Sequence, residues 1–140
     1  MSRIFWDTNL FIYLFDGEGE LADRVTALRR RMLTRGDQLV TSTLTLGEIL
    51  VKPLERGDDA ALRRYQDALS REAVLAPFNT EAARIYAGLR QHRALRAPDA
   101  VQLACAAQAR TDLFLTNDER LSQYTVPGVQ FVASLERAPL

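Results

Sequence analysis

Short apolar runs alternate along this chain with longer segments of helical period, and few folds accept that rhythm. Ile4-Phe-Trp-Asp7 reads as a buried strand, and Thr8 to Phe15, apolar on every side, as a buried helix. Glu20 to Arg35 has helical spacing, with Leu21, Val25, Leu28 and Met32 on one face and Gly36 as its stop. Gln38 to Ser42 follows as a strand, Thr45 to Lys52 as a helix closed by Pro53, and Ala60 to Arg71 as a further helix. Val74 to Pro77 is a short strand, and Thr80 to His92 a helix turning Ala82, Ile85, Tyr86 and Leu89 inward. Pro98 opens a helix to about Arg110, Leu113 to Thr116 is a strand, Asp118 to Gln123 a short helix, and Val129 to Val132 a last strand. Strands separated by helices pair in parallel, which predicts a three-layer α/β/α sandwich around a central, mainly parallel sheet. In such sheets the functional site lies beyond the carboxyl ends of the strands.

The 140 residues, 47% of them apolar, are enough for one domain over 1–140 with a core that needs no staples. A single cysteine, Cys105, forms no internal disulfide and points to a reducing compartment. One cysteine and one histidine, His92, also exclude a zinc site with four nitrogen and sulfur ligands. Asp7 interrupts the apolar N-terminus, no small-residue cleavage site follows, and no window approaches the ~20 apolar residues of a membrane span. The expectation is a cytoplasmic protein without membrane association.

Four carboxylates fall where a strand ends or a helix begins: Asp7, Glu48, Asp99 and Asp118. Each has an ordinary explanation. Asp7 and Asp118 suit helix caps, Thr45-Leu-Gly-Glu48 fits a capping box, and Pro98-Asp99 puts an acid at the positive end of a helix. Together they are harder to dismiss, because a parallel sheet gathers those junctions at one edge. Carboxylates so gathered repel by several kcal/mol at ~4 Å in a poorly screened site, so a proton or a cation must hold them. All-oxygen ligation suits Mg²⁺ or Mn²⁺, and such ions activate water against phosphate esters.

The ordered set Ile-Phe-Trp-Asp7-Thr8-Asn9, the Glu48 helix, Pro98-Asp99-Ala-Val-Gln-Leu-Ala and Phe-Leu-Thr116-Asn117-Asp118 resembles the PIN-domain nucleases. It is most similar to the VapC-type ribonuclease toxins of bacterial and archaeal toxin–antitoxin pairs. The resemblance runs along the whole chain. It implies that Asp7, Glu48, Asp99 and Asp118 are catalytic metal-binding acids, supported by Thr8, Asn9, Thr116 and Asn117. It further implies a Mg²⁺- or Mn²⁺-dependent endoribonuclease, acting on structured RNA such as tRNA and leaving 5′-phosphate and 3′-hydroxyl ends. A homodimer held inactive by a small DNA-binding antitoxin is the implied assembly. Two positions depart from the pattern: Trp6 is bulkier than the expected aliphatic residue, and Glu119 adds an acid after Asp118 that either assists the metal or caps the helix, the cap being the favoured reading. Two other readings stay open. One is a PIN-like domain that binds RNA or protein without cutting; the other is a PIN nuclease outside toxin–antitoxin systems.

Rival motifs fail on chemistry. Gly17-Glu-Gly19-Glu-Leu-Ala22 matches a dinucleotide fingerprint, but Asp16, Glu18 and Glu20 would crowd a pyrophosphate with negative charge. A dehalogenase-like phosphatase needs an aspartate where Asn9 stands, and a receiver domain needs a late lysine, whereas the only one is Lys52. Cys105, among alanines, reads as a small core residue, and His92 as an exposed helix end. The basic side chains are 18, all arginine but one, balanced by 18 acids. Arginine's planar fork suits phosphate, and Arg93 and Arg96, just before Asp99, are the candidates for gripping RNA. A neutral total predicts few backbone contacts. RNA binding measured against salt concentration is expected to give a shallow slope, and a steep one would reveal a basic surface that the charge count hides.

Overall fold

The computed structural model describes residues 1–138. Strand β1 (Arg3–Trp6) is followed by α1 (Thr8–Asp16), α2 (Glu20–Arg35), β2 (Gln38–Ser42), α3 (Thr43–Glu55) and α4 (Asp59–Glu72). Then come β3 (Val74–Ala76), α5 (Thr80–Leu89), α6 (Ala97–Gln108), β4 (Leu113–Thr116), a 3₁₀ turn (Glu119–Gln123), β5 (Phe131–Ser134) and a last 3₁₀ turn (Leu135–Arg137). The strands form one sheet in the order β3-β2-β1-β4-β5, with every pair parallel.

β1 is central because it is apolar on both faces, as a parallel strand covered on both sides must be. Ile4, Phe5 and Trp6 are all fully buried. Alternation splits them between two cores. Phe5 joins Val40, Ala76 and Phe114 under α5 and α6, while Ile4 and Trp6 join Leu39, Leu113 and Leu115 under α1 to α4. Phe5 and Phe114, partners in register, stack with ring centroids 5.0 Å apart. Trp6 fits within the second core, its ring 5.2 Å from Phe11. The three layers are therefore α5 and α6, the sheet, and α1 to α4. Among the described residues no helix is long and apolar enough to cross a membrane.

Several boundaries differ from the sequence reading. α3 begins at Thr43 and runs through Pro53 to Glu55. A proline lacks the donor for the carbonyl four residues back, but Pro53 stands two residues from the helix end, so little helix is left beyond it to be disturbed. α2 buries Ala22, Val25, Leu28 and Met32, while Leu21 is exposed. α5 ends at Leu89, and α6 starts at Ala97, so Pro98 takes its second position. The stretch Gly17–Ala22 follows a helix, not a strand, which removes the dinucleotide motif. The last strand is Phe131–Ser134, because Val129 is buried in the core under α5 and α6.

Gly128 makes that turn possible. Its φ is +96°, and a Cβ built on it would lie 2.9 Å from the Ala107 carbonyl oxygen at the end of α6. Gly128→Ala should therefore destabilise the fold by about 1–3 kcal/mol. Urea unfolding measures this, and an unchanged midpoint would show that the turn can shift at no cost.

Candidate active site

Asp7 follows β1, and its backbone N–H still donates to the Leu115 carbonyl across the sheet (2.9 Å). It caps α1, with Oδ1 accepting from the Thr8 amide at 2.9 Å. That bond leaves Oδ2 free for another partner, the Thr116 hydroxyl, which donates to it at 2.9 Å. Thr116 in turn accepts from the Asp118 amide at 3.0 Å, tying the ends of β1 and β4 together. Asp7 is therefore both a cap and a member of the site.

Glu48 is released from the capping box that its spacing suggests. Ser42 is the N-cap of α3, its Oγ accepting from the Thr45 amide, so Glu48 lies in the second turn. Its Oε1 accepts instead from the Thr8 hydroxyl at 2.7 Å, across to α1. Asp99 lies in the first turn of α6, and Asp118 follows β4 and caps the 3₁₀ turn. The four acids thus come from four elements converging on the carboxyl edge of the sheet.

Behind them sits a buried polar layer that the sequence reading missed. Gln102 is 1% exposed on α6, whose other buried residues are apolar. Its Nε2 donates to Thr45 Oγ1 at 2.8 Å and Thr8 Oγ1 at 3.0 Å, and it lies 3.5 Å from Asp7 Oδ1. Its Oε1 accepts from the Ser42 hydroxyl. Thr41 Oγ1 reaches Thr45 Oγ1 at 2.9 Å and the Trp6 carbonyl at 2.8 Å. A glutamine three residues after Asp99, alone among alanines and leucines, was the available signal, because that spacing keeps both on one helix face.

Of the four supporting residues, Thr8 and Thr116 bind carboxylates directly. Asn9 is exposed, and Asn117 reaches only the Tyr13 hydroxyl, at 3.4 Å. Glu119 is not the cap. Asp118 is, and Glu119 turns to Ser134 Oγ (3.4 Å) and Arg137 (3.9 Å). Arg93 is exposed, while Arg96 stands 3.8 Å from Asp99. Cys105 is buried, where burial pushes its thiol up to about 11, and His92 is exposed with its ring 5.6 Å from that of Tyr124.

Electrostatics link the four acids. Burial raises the pKa of Asp7, the hydrogen bonds from Thr116 and Thr8 oppose this, and the charges of Asp99 and Glu48 raise it further. Asp99 is raised by burial, with Arg96 lowering it and Asp118 raising it. Asp118 moves the other way because Arg120 binds it twice, Nε to Oδ1 at 3.0 Å and a terminal nitrogen to Oδ2 at 2.7 Å. In this arrangement two guanidinium groups balance two of the acids. Among the described residues, no three His, Cys, Asp or Glu side chains stand close enough as placed to hold a metal ion. The donors available are all carboxylate oxygens, a set that fits a hard divalent cation rather than zinc or copper.

The fold is a parallel α/β sandwich with four acids towards the carboxyl edge of its sheet, backed by buried hydroxyls. The PIN domain family model matches residues 4–127, and the chain belongs to that family. No curated protein sequence matches it. Among solved structures it is similar to VapBC2 from Rickettsia felis bound to a DNA fragment from their promoter (TM-score 0.75, 13% identity, covering 94% of this chain and 98% of that one). It is also similar to a toxin–antitoxin complex from Klebsiella pneumoniae (0.65, 25%, 90% and 94%) and to VapBC-5 from Mycobacterium tuberculosis (0.62, 21%, 94% and 98%).

Burial disfavours the charge on Asp7, and the sign of the effect is testable. The folded pKa of Asp7 lies above its ordinary 3.8, so the fold disfavours the ionised form. The cost is full above the folded pKa and fades as the pH falls through it towards the unfolded value. Asp7→Asn should therefore raise the melting temperature at neutral pH without divalent cations, and the gain should shrink on acidification. A variant less stable than wild type at neutral pH would show that the carboxylate holds the fold together.

Proposed function

We propose that this protein is a metal-dependent endoribonuclease, the toxin of a toxin–antitoxin pair. The observation that carries the reading is the convergence of Asp7, Glu48, Asp99 and Asp118 from four elements, Asp7 feeling Asp99 and Glu48 and Asp99 feeling Asp118, in a chain of the PIN family. These four would hold Mg²⁺ or Mn²⁺. A bound ion supplies an activated water and offsets charge on the phosphate.

The chain's own residues do the rest. Thr116 and the Thr8 amide fix both oxygens of Asp7, and Thr8 turns Glu48 towards the same edge. Gln102 holds the Thr8 and Thr45 hydroxyls, so the support is anchored in a buried layer that water does not loosen. Arg93 and Arg96 would contact the RNA backbone, and Asn9 and Asn117, exposed beside the acids, are open to substrate.

The solved complexes support a protein antitoxin as partner. A homodimer in the cytoplasm is the proposed assembly. Structured RNA, tRNA included, is the proposed substrate. One observation favours a rival that binds without cutting: both oxygens of Asp118 are engaged by Arg120.

Incubation of end-labelled RNA with the purified protein and Mn²⁺ decides between them. Cleavage leaving 5′-phosphate ends is expected for wild type, with a loss of more than about 100-fold in Asp7→Asn, since even outer-shell changes cost 10–100-fold. Equal survival of the RNA with both proteins, in the absence of antitoxin, would leave the binding reading in its place. The neighbouring gene separates a toxin from a nuclease of other purpose.

A further inference from the structure

A recess of about 150 Å³ opens beside Asp99 and Asp118, between the entry to α6 and the 3₁₀ turn. Its apolar wall is Leu95 and Leu121, both buried, and its rim carries Arg96, Arg120, Gln123 and Tyr124. The Tyr124 ring is braced by His92, with the two rings at 67° to each other. Pockets for drug-sized ligands run to about 300–1,000 Å³, so this one takes only a fragment of that size.

The two arginines are held in a way that invites exchange. Arg120 grips Asp118 with a two-pronged pair, the same geometry by which guanidinium groups bind phosphate. Its side chain is 72% exposed, as is that of Arg96 on Asp99, so both pairs are weakened by water and easily exchanged. Their carboxylate partners are the acids assigned above to the metal. Formal charge in the recess is zero, two acids against two arginines. A divalent cation on those acids would take over their charge and leave both guanidinium forks without partners.

We propose that this recess is a nucleotide subsite for the substrate strand, in which Arg120 and Arg96 pass from Asp118 and Asp99 to a phosphate when the metal binds. The nucleoside attached to that phosphate packs on Tyr124 against the Leu95 and Leu121 wall. The subsite rests on the nuclease reading, which assigns those two acids to the metal. It adds that metal and nucleotide binding strengthen each other, because the metal removes the carboxylates that compete for the arginines.

Calorimetry with adenosine 5′-monophosphate, inorganic phosphate and Mn²⁺ tests it, since none of these contains a bond the enzyme could cut. AMP should bind wild type about tenfold more tightly with Mn²⁺ than without. Arg120→Ala should weaken AMP binding in Mn²⁺ by about tenfold, while its affinity for Mn²⁺ alone is equal to wild type or higher. Tyr124→Leu should weaken AMP and leave inorganic phosphate unchanged. A fall in Mn²⁺ affinity in Arg120→Ala would overturn the exchange, because the arginine would then be supporting the acids. AMP affinity within twofold of wild type in that variant, or phosphate binding as tightly as AMP, would overturn the subsite. These outcomes are separate from RNA cleavage. Uncut RNA with the AMP results as expected removes the nuclease reading alone, and cut RNA with no Arg120 effect removes the subsite alone.

Discussion

Burial of Asp7 at the carboxyl edge of a parallel sheet, with Glu48, Asp99 and Asp118 brought towards it, is the constraint around which this edge of the protein is arranged. Parallel strands all point the same way, so the turns after β1, β2 and β4 open on one side, and α6 brings its first turn to the same place. Thr116 joins the ends of β1 and β4 through Asp7 and the Asp118 amide. On the other side Thr8, Thr45 and Gln102 join α1, α3 and α6. Each acid is held by an uncharged donor or an exposed arginine, both of which can adapt when a cation arrives.

Two apolar cores give this layer its rigidity. Phe5 and Phe114 stack under α5 and α6, while Trp6 and Phe11 pack on the opposite face. The alanine-rich face of α6 sits closely on the sheet, which carries Gln102 deep enough to reach hydroxyls from two other helices. A buried amide in such a place is tolerable only when its partners are present, and here both ends of the side chain are used. Support for the acids and the unusual composition of α6 are therefore one design.

The reading of the sequence succeeded where a residue's meaning is local and failed where it depends on a neighbour far along the chain. Gly36 as a stop, Cys105 as core, and the buried strand before Asp7 follow from period and residue type. Thr45 three residues before Glu48 spells a capping box, yet Ser42 takes the cap and Thr8 takes the glutamate. Pro53 looked like an end because prolines break helix interiors, but one missing bond near the terminus is tolerated. Arg120 could not be chosen from seventeen arginines until its bond to Asp118 was visible.

By itself, the sequence determined the alternation of strands and helices, and with it the parallel sheet and the edge at which the acids meet. Those properties depend on hydrophobic period and turn chemistry, which act over a few residues. The tertiary structure alone decided which hydroxyl answers which carboxylate, which arginine covers which acid, and that Gln102 underlies the Thr8 and Thr45 hydroxyls. Such pairings join residues up to 109 positions apart, as Thr116 and Asp7 are, and no local pattern records them. Hydrogen bonds between side chains need atoms placed within a few tenths of an ångström, and only the packed layers provide that placement.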